Sequence, residues 1–273
     1  MKFTVLGSTG FVGGAMARFL RADGIEVYTP PRTTASLRGE NLGHVIYSIG
    51  LTGNFRQKTE ETIEAHVHVF RRLMEGATFD SWLYLSSTRL YAGLPAGLLA
   101  TEDVDLRLKP GADGIYDFSK LLGESICLAN SNNTVRVARL SNVYGAGQSE
   151  HTFLGSVVRD VVSSGKTILN QSPESSKDYV SIDDVTEILK SIAIHGQERL
   201  YNIASGRAVT HGQLADIMRK SGYGVEFSQG ASTHVFPSAD ITKIKREFGN
   251  NMRNLVDDLP HLLEECQKRN ERL

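Results

Sequence analysis

The chain has 273 residues, of which 40% are hydrophobic and 22% charged, and its formal net charge is -1. That length suits one large domain or two small ones and is enough to bury a full core. With no basic excess, neither nucleic acid nor an anionic membrane is expected as a partner, and no apolar stretch approaches a membrane span.

The opening run KFTVLG reads as a first strand, too short and too glycine-broken for a signal peptide. GGAMARFLRADG then reads as a helix closed by Gly24. IEVYT is strand-like, PPRTTASLRGENLG is a polar connection, and HVIYSIG is another apolar strand. Ile63, Val67, Phe70 and Met74 repeat at spacings of four, three and four, which predicts one apolar helix face. SWLYLSS is a strand, YDFSKLLGESICLAN a helix, and TVRVARLSNVYG a strand running into a loop.

Strands alternating with crossover helices predict an α/β fold: a doubly wound, parallel, Rossmann-type sheet. Ligands in such sheets collect at the carboxyl ends of the strands. Beyond about residue 145 the alternation is less regular. HTFLGSVVRDVVSSG, HGQLADIMRKSG, ADITKIKREFG and NLVDDLPHLLEECQKRN look helical, and YNIAS is one more strand. The expected division is a dinucleotide-binding domain over residues 1–145 plus about 180–205. A smaller mixed α/β substrate lobe takes about 146–179 and 206–273.

Gly7, Gly10 and Gly13 in GSTGFVG stand between the first strand and the first helix. Glycines there let the backbone approach a pyrophosphate, and the helix start offers free N–H groups to it. The spacing is GxxGxxG, which also fits a tight β–α turn without a ligand. Tyr116 and Lys120 are four apart in YDFSK and share a helix face. A nearby ammonium lowers a phenol's pKa and equips it to move a proton, although an isolated YxxxK also suits a solvated face. Ser86, Ser87 and Thr88 end a predicted strand, where a hydroxyl can meet the same substrate oxygen or cap a turn. Cys127 and Cys266 are isolated, as expected of reduced thiols in a cytoplasmic protein.

GSTGFVG, LYLSSTRLY, YDFSK, RLSNVYGAGQ, KDYVSIDDV and YNIASGRAVT occur in this order. Together they resemble the extended short-chain dehydrogenase/reductase superfamily, in particular its NAD-dependent epimerase/dehydratase family, from Lys2 to about Gly249. The resemblance implies Tyr116 as acid/base, Ser87 as the catalytic hydroxyl and Lys120 as the group that lowers the tyrosine pKa and holds the nicotinamide ribose. It implies cofactor contacts from Gly7, Gly10, Phe11, Val12, Gly13, Ile49, Gly50, Leu51, Leu140 and Val143, and substrate contacts from Thr88, Arg89 and Asn142. The implied chemistry is hydride transfer to or from a sugar carbon, usually on a nucleotide sugar. A homodimer is also implied, built on helices near 60–75 and 114–130.

The chain departs from the family pattern in several places. Thr29-Pro30-Pro31-Arg32 stands where NAD users carry an acid after the second strand, and Arg32 can pair with a 2′-phosphate, which favours NADP over NAD. Residues 30–43 are too few for the strand and helix often found there, so a trimmed sheet edge and a more open adenine pocket are expected. Thr88-Arg89 replaces the Asp-Glu of the 4,6-dehydratases, which leaves ketone reduction or epimerisation. His66 replaces an asparagine near the nicotinamide, and it fits either a cofactor contact or a packed helix position. His66 and His68 face different ways, so no metal site is expected. Lys177 stands where an arginine grips the diphosphate, His234 roughly where another does, and His151 is placed to enter the cleft as a second acid/base. The reading from another class is a dinucleotide-binding sensor or scaffold without catalysis, although such relatives usually lose the tyrosine or the lysine.

Overall fold

The computed structural model describes residues 1–249 and 251–271. In chain order, β1 (Lys2–Leu6), α1 (Phe11–Ala22), β2 (Glu26–Tyr28) and β3 (His44–Tyr47) open the fold. Next come α2 (Thr59–Ile63), a π-helical turn at Glu64–His68, α3 (Val69–Met74) and β4 (Ser81–Ser87). A 3-10 turn at Thr88–Tyr91, β5 (Leu99–Ala100), α4 (Ala112–Leu128), β6 (Val135–Leu140) and β7 (Asn142–Tyr144) follow. The remainder is α5 (Phe153–Ser164), β8 (Lys166–Gln171), β9 (Ser176–Ser181), α6 (Ile182–His195), β10 (Leu200–Ile203) and β11 (Ala208–Thr210). The chain closes with α7 (His211–Lys220), β12 (Gly224–Ser232), β13 (Ser238–Ala239), α8 (Thr242–Phe248) and α9 (Leu255–Asn270).

Six strands form one parallel sheet in the order β10-β6-β4-β3-β1-β2. The expected Rossmann-type sheet is present. The chain leaves β1 for β2 on one side and then crosses to β3 on the other, so the strand order reverses between β1 and β3. A crevice opens at the carboxyl ends of strands at such a point. Residues 29–43 carry no helix or strand, only a single bridge from Asn41 to Thr78, so β2 is the sheet edge as expected.

The central strands are buried on both faces, which is why they read as continuous apolar runs. One core cluster packs α1 and α6 against one face. A second holds Leu42, Tyr47, Phe70, Trp82 and Tyr84 under the other face. A third, built from α5, α7, α9, β8 and β12, lies apart from the sheet.

The helix predicted from Ile63, Val67, Phe70 and Met74 is interrupted by the π turn. That wider turn rotates the face, so Ile63 is exposed while Ala65, His66 and Val67 are buried. The carbonyls of Ala65 and His66 accept hydrogen bonds from the hydroxyls of Tyr47 and Tyr84. The wide turn thus keeps its polar groups paired inside the core.

Candidate active site

β1 delivers the glycine loop to the switch point. Gly7 adopts φ +91, a conformation other residues rarely take, and a Cβ there would lie 2.9 Å from the Ile49 backbone nitrogen. A side chain at Gly13 would overlap the Gly7 carbonyl and the Ser48 hydroxyl, so α1 can start hard against β1 and β3 only with glycine there. Gly10 caps α1 with no side-chain hydrogen bond, and no acidic residue stands in the first turn. The backbone N–H groups at that helix start are therefore presented to an anion.

Two clefts meet at this loop. The larger, of about 1140 Å³, is lined by Gly7, Gly10, Arg32, Ile49, Gly50 and Leu51, with α2, the π turn and α3 as its far wall. The smaller, of about 400 Å³, shares Gly10 and Gly50 with it and continues along Phe11, Val12 and Gly13. Ser87, Thr88, Arg89, Tyr116 and Lys120 form one wall of this smaller cleft, and Leu140, Asn142, Val143, His151 and Lys177 lie on others. Residues spread from the seventh to the 177th position are thus gathered at the carboxyl end of the sheet. The glycine cradle, the free helix start and the adjoining hydroxyl-bearing wall fit a dinucleotide.

β4 ends at Ser87, which caps the 3-10 turn by accepting from the Arg89 N–H at 3.2 Å. α4 brings Tyr116 into the same cleft wall, near enough for the Ser87 hydroxyl to favour its phenolate. Lys120, one turn further along α4, donates to the Leu85 carbonyl at 2.8 Å and lies over the Tyr84 ring at 5.1 Å.

The expected lowering of the Tyr116 pKa is not found. Burial pushes it up to about 12, against the smaller downward pull of the Ser87 hydroxyl and the Arg89 charge. Lys120 is itself pulled down to about 7, by burial first, with Glu124 opposing. Burial dominates at both groups because each is about 95% or more covered.

The sequence model of the NAD dependent epimerase/dehydratase family matches residues 37–204. This chain belongs to that family. The dTDP-6-deoxy-L-talose 4-dehydrogenase (NAD(P)(+)) of Kitasatospora kifunensis is 25% identical, over 84% of this chain and 81% of that protein. MoeE5 in complex with UDP-glucose and NAD superposes with a TM-score of 0.80 at 21% identity over 100% of both chains. RMD from Pseudomonas aeruginosa complexed with NADPH gives 0.79 at 19% identity, over 98% of this chain and 99% of that one. At such identities the superpositions speak for the fold.

Two side chains in this family member lie close to Tyr116: His66, which the sequence left as either a cofactor contact or a packed helix position, and Phe55, which no motif marked. His66 lines neither cleft; it is fully buried behind Gly50, its ring edge-on to Tyr116 at 5.2 Å. The Ser119 hydroxyl donates to the Tyr116 carbonyl at 2.9 Å, so the 2.8 Å contact between Ser119 and His66 Nδ1 has the imidazole as donor. Nε2 is then a bare acceptor without a partner. Burial, followed by the Lys120 charge, pulls the His66 pKa down to about 2, so the ring is neutral. Phe55 is the second of them. It packs against Tyr116 with the rings tilted and their centroids 5.0 Å apart, in a loop without periodic signal.

Lys177 lies over the rings of Phe153 at 4.9 Å and Phe236 at 5.7 Å, and burial pulls its pKa down to about 8. Asn142 is exposed in the cleft and donates to the Asp178 carbonyl at 2.8 Å. His151 is also exposed and packs against Gly53. His234 is absent from the cleft lining; its ring meets the Ser232 hydroxyl.

Proposed function

We propose that this chain moves hydride between a nicotinamide cofactor and a sugar carbon of a nucleotide sugar, as a keto-sugar reductase or an epimerase. The observation that carries this reading is that Ser87, Tyr116 and Lys120 share the wall of a cleft that runs directly into the glycine cradle. When bound, the nicotinamide supplies or accepts the hydride. Ser87 orients the substrate oxygen, and Tyr116 delivers a proton to it or takes one away. Lys120 is placed to turn from the Leu85 carbonyl to the ribose hydroxyls, and Gly10 to Gly13 hold the diphosphate. Thr88, Asn142, His151 and Lys177 face the sugar nucleotide.

A 4,6-dehydratase route finds no support in this cleft. Arg89 is paired with Asp117 at 3.0 Å, where an acid would be needed. The carboxylate in the lining is Asp178, whose oxygens accept from Ser141, Ser205 and the Arg207 N–H. The related 4-dehydrogenase supports the sugar C4 as the reacting carbon. Arg32 makes no ion pair among the described residues and faces the larger cleft, which supports NADP.

We read residues 1–145 with about 180–205 as the cofactor domain and the rest as the substrate lobe. Cys127 and Cys266 are unpaired, in keeping with a reducing, cytoplasmic setting. No helix among the described residues is long and apolar enough to cross a membrane. α4 exposes Phe118 and Leu122 beside Ile63 of α2, which suits a homodimer built on these helices; a monomer by light scattering would count against it.

The first experiment is to denature the purified protein and assay the supernatant for nicotinamide. Stoichiometric NAD would favour an epimerase, which keeps its hydride between half-reactions. An empty protein that binds NADPH above NADH and oxidises it with a nucleotide 4-keto sugar would favour the reductase. Binding of neither would leave the scaffold reading.

A further inference from the structure

Arg89 stands two residues beyond Ser87, and its guanidinium carbon lies 5.9 Å from the centroid of the Tyr116 ring. The same group lies 5.2 Å from the Phe55 ring. Its Nε donates to Asp117 at 3.0 Å, with the two side chains 28% and 13% exposed. Asp117 directly follows Tyr116 in α4, so one helical turn carries both the phenol and the anchor of the cation. Lys120 has its ammonium on the Leu85 carbonyl and over Tyr84, a different ring.

We propose that Arg89, held by Asp117, is the positioning residue that stabilises the Tyr116 phenolate in this protein. The proposal rests on the reading of Tyr116 as the acid/base. It gives Arg89 an electrostatic role in place of the substrate contact that the family motif implies.

The charged groups around Tyr116 support this assignment. On α4 these are Asp117 and, one turn away, Lys120. The loop after β3 brings Arg56, whose charge is met by Asp113. The π turn brings the neutral His66, and β9 brings Lys177, which feels Arg89 across the cleft. Against the upward push of burial, the Ser87 hydroxyl and the Arg89 charge pull Tyr116 down, while the Asp117 charge pushes it up. The two members of the ion pair therefore act on the phenol with opposite signs.

That opposition makes the test specific. Tyr116 is replaced by a difluorotyrosine, whose more acidic phenol titrates where the fold persists and a lysine is still charged; its absorbance in the protein alone is followed against pH, with the same variant carrying Tyr116→Phe as the blank. Arg89→Gln should raise the Tyr116 midpoint by roughly half a unit to one unit, since the charge is close but paired and partly exposed. In the Arg89→Gln background, where no cation is left to hold, adding Asp117→Asn should lower it. Arg89→Lys, which keeps the charge, should stay near the wild type. The pH profile of turnover should move in the same directions. An unmoved midpoint in Arg89→Gln, or an upward shift when Asp117→Asn is added to it, would overturn the proposal; loss of packing alone does not produce opposite signs. The absorbance reading needs neither substrate nor cofactor. Shifted midpoints in a protein that turns nothing over would keep this inference and sink the enzyme reading. Unmoved midpoints in an active enzyme would do the reverse.

Discussion

The Tyr84 hydroxyl crosses the space that a side chain at Gly123 would occupy and donates to the carbonyl of His66 at 3.0 Å. Gly123 is thus the point where α4 rests on both β4 and the π turn. Gly123→Ala should push α4 off this contact and destabilise the fold by about 1–3 kcal/mol, an overpacking cost in a closed core. Denaturant melts measure the loss. Adding Tyr84→Phe removes the clashing oxygen and should recover part of it; no recovery would show that the clash lies elsewhere.

Tyr116→Phe should lower turnover by about 10²- to 10⁴-fold, the usual worth of a positioned acid/base. Binding of NAD(P), read by protein fluorescence, should change little, because the glycine cradle does not involve the phenol. Unchanged turnover would remove Tyr116 from the chemistry.

Arg32→Ala tests the cofactor preference. Loss of a guanidinium–phosphate pair should weaken NADPH by about ten-fold, near 1.4 kcal/mol, and leave NADH unaffected. Equal weakening of both, measured by titration, would mean that Arg32 does not read the 2′-phosphate.

His66 makes stability depend on acid. Its folded pKa, about 2, lies below the unfolded value near 6.5, so the unfolded chain binds the extra proton as pH falls. Stability is full above about pH 6.5 and is lost progressively below it, at up to about 1.4 kcal/mol per pH unit. Between pH 6.5 and pH 5 the loss from this residue should be about 2 kcal/mol. His66→Asn should flatten that slope in denaturant melts taken across the range. His211, also fully buried and pulled down to about 4 by burial first, should add a second contribution of the same sign. An equally steep slope in His66→Asn would argue against a buried neutral His66.

Periodicity made the six-stranded sheet and its major helices legible, because central parallel strands are apolar on both faces and helices repeat at a different period. The same logic missed β8, β9 and β12, which lie outside the main sheet. β8 buries Thr167 and Leu169 but leaves the apolar Ile168 61% exposed, so its apolar residues do not trace its buried face. It also misplaced Ile63, since a π turn is set by the hydroxyls of Tyr47 and Tyr84 waiting in the core.

The order of glycines, Ser87, Tyr116 and Lys120 along the chain determined the family and the kind of chemistry, because strand ends and helix starts are local and bring those residue types to one edge of the sheet. Tertiary structure alone decided the electrostatics. Burial raises Tyr116, turns His66 neutral and lowers Lys120, and Arg89 rather than Lys120 lies on the phenol. Desolvation and charge pairing depend on what surrounds a group in space, and its neighbours in sequence do not specify that.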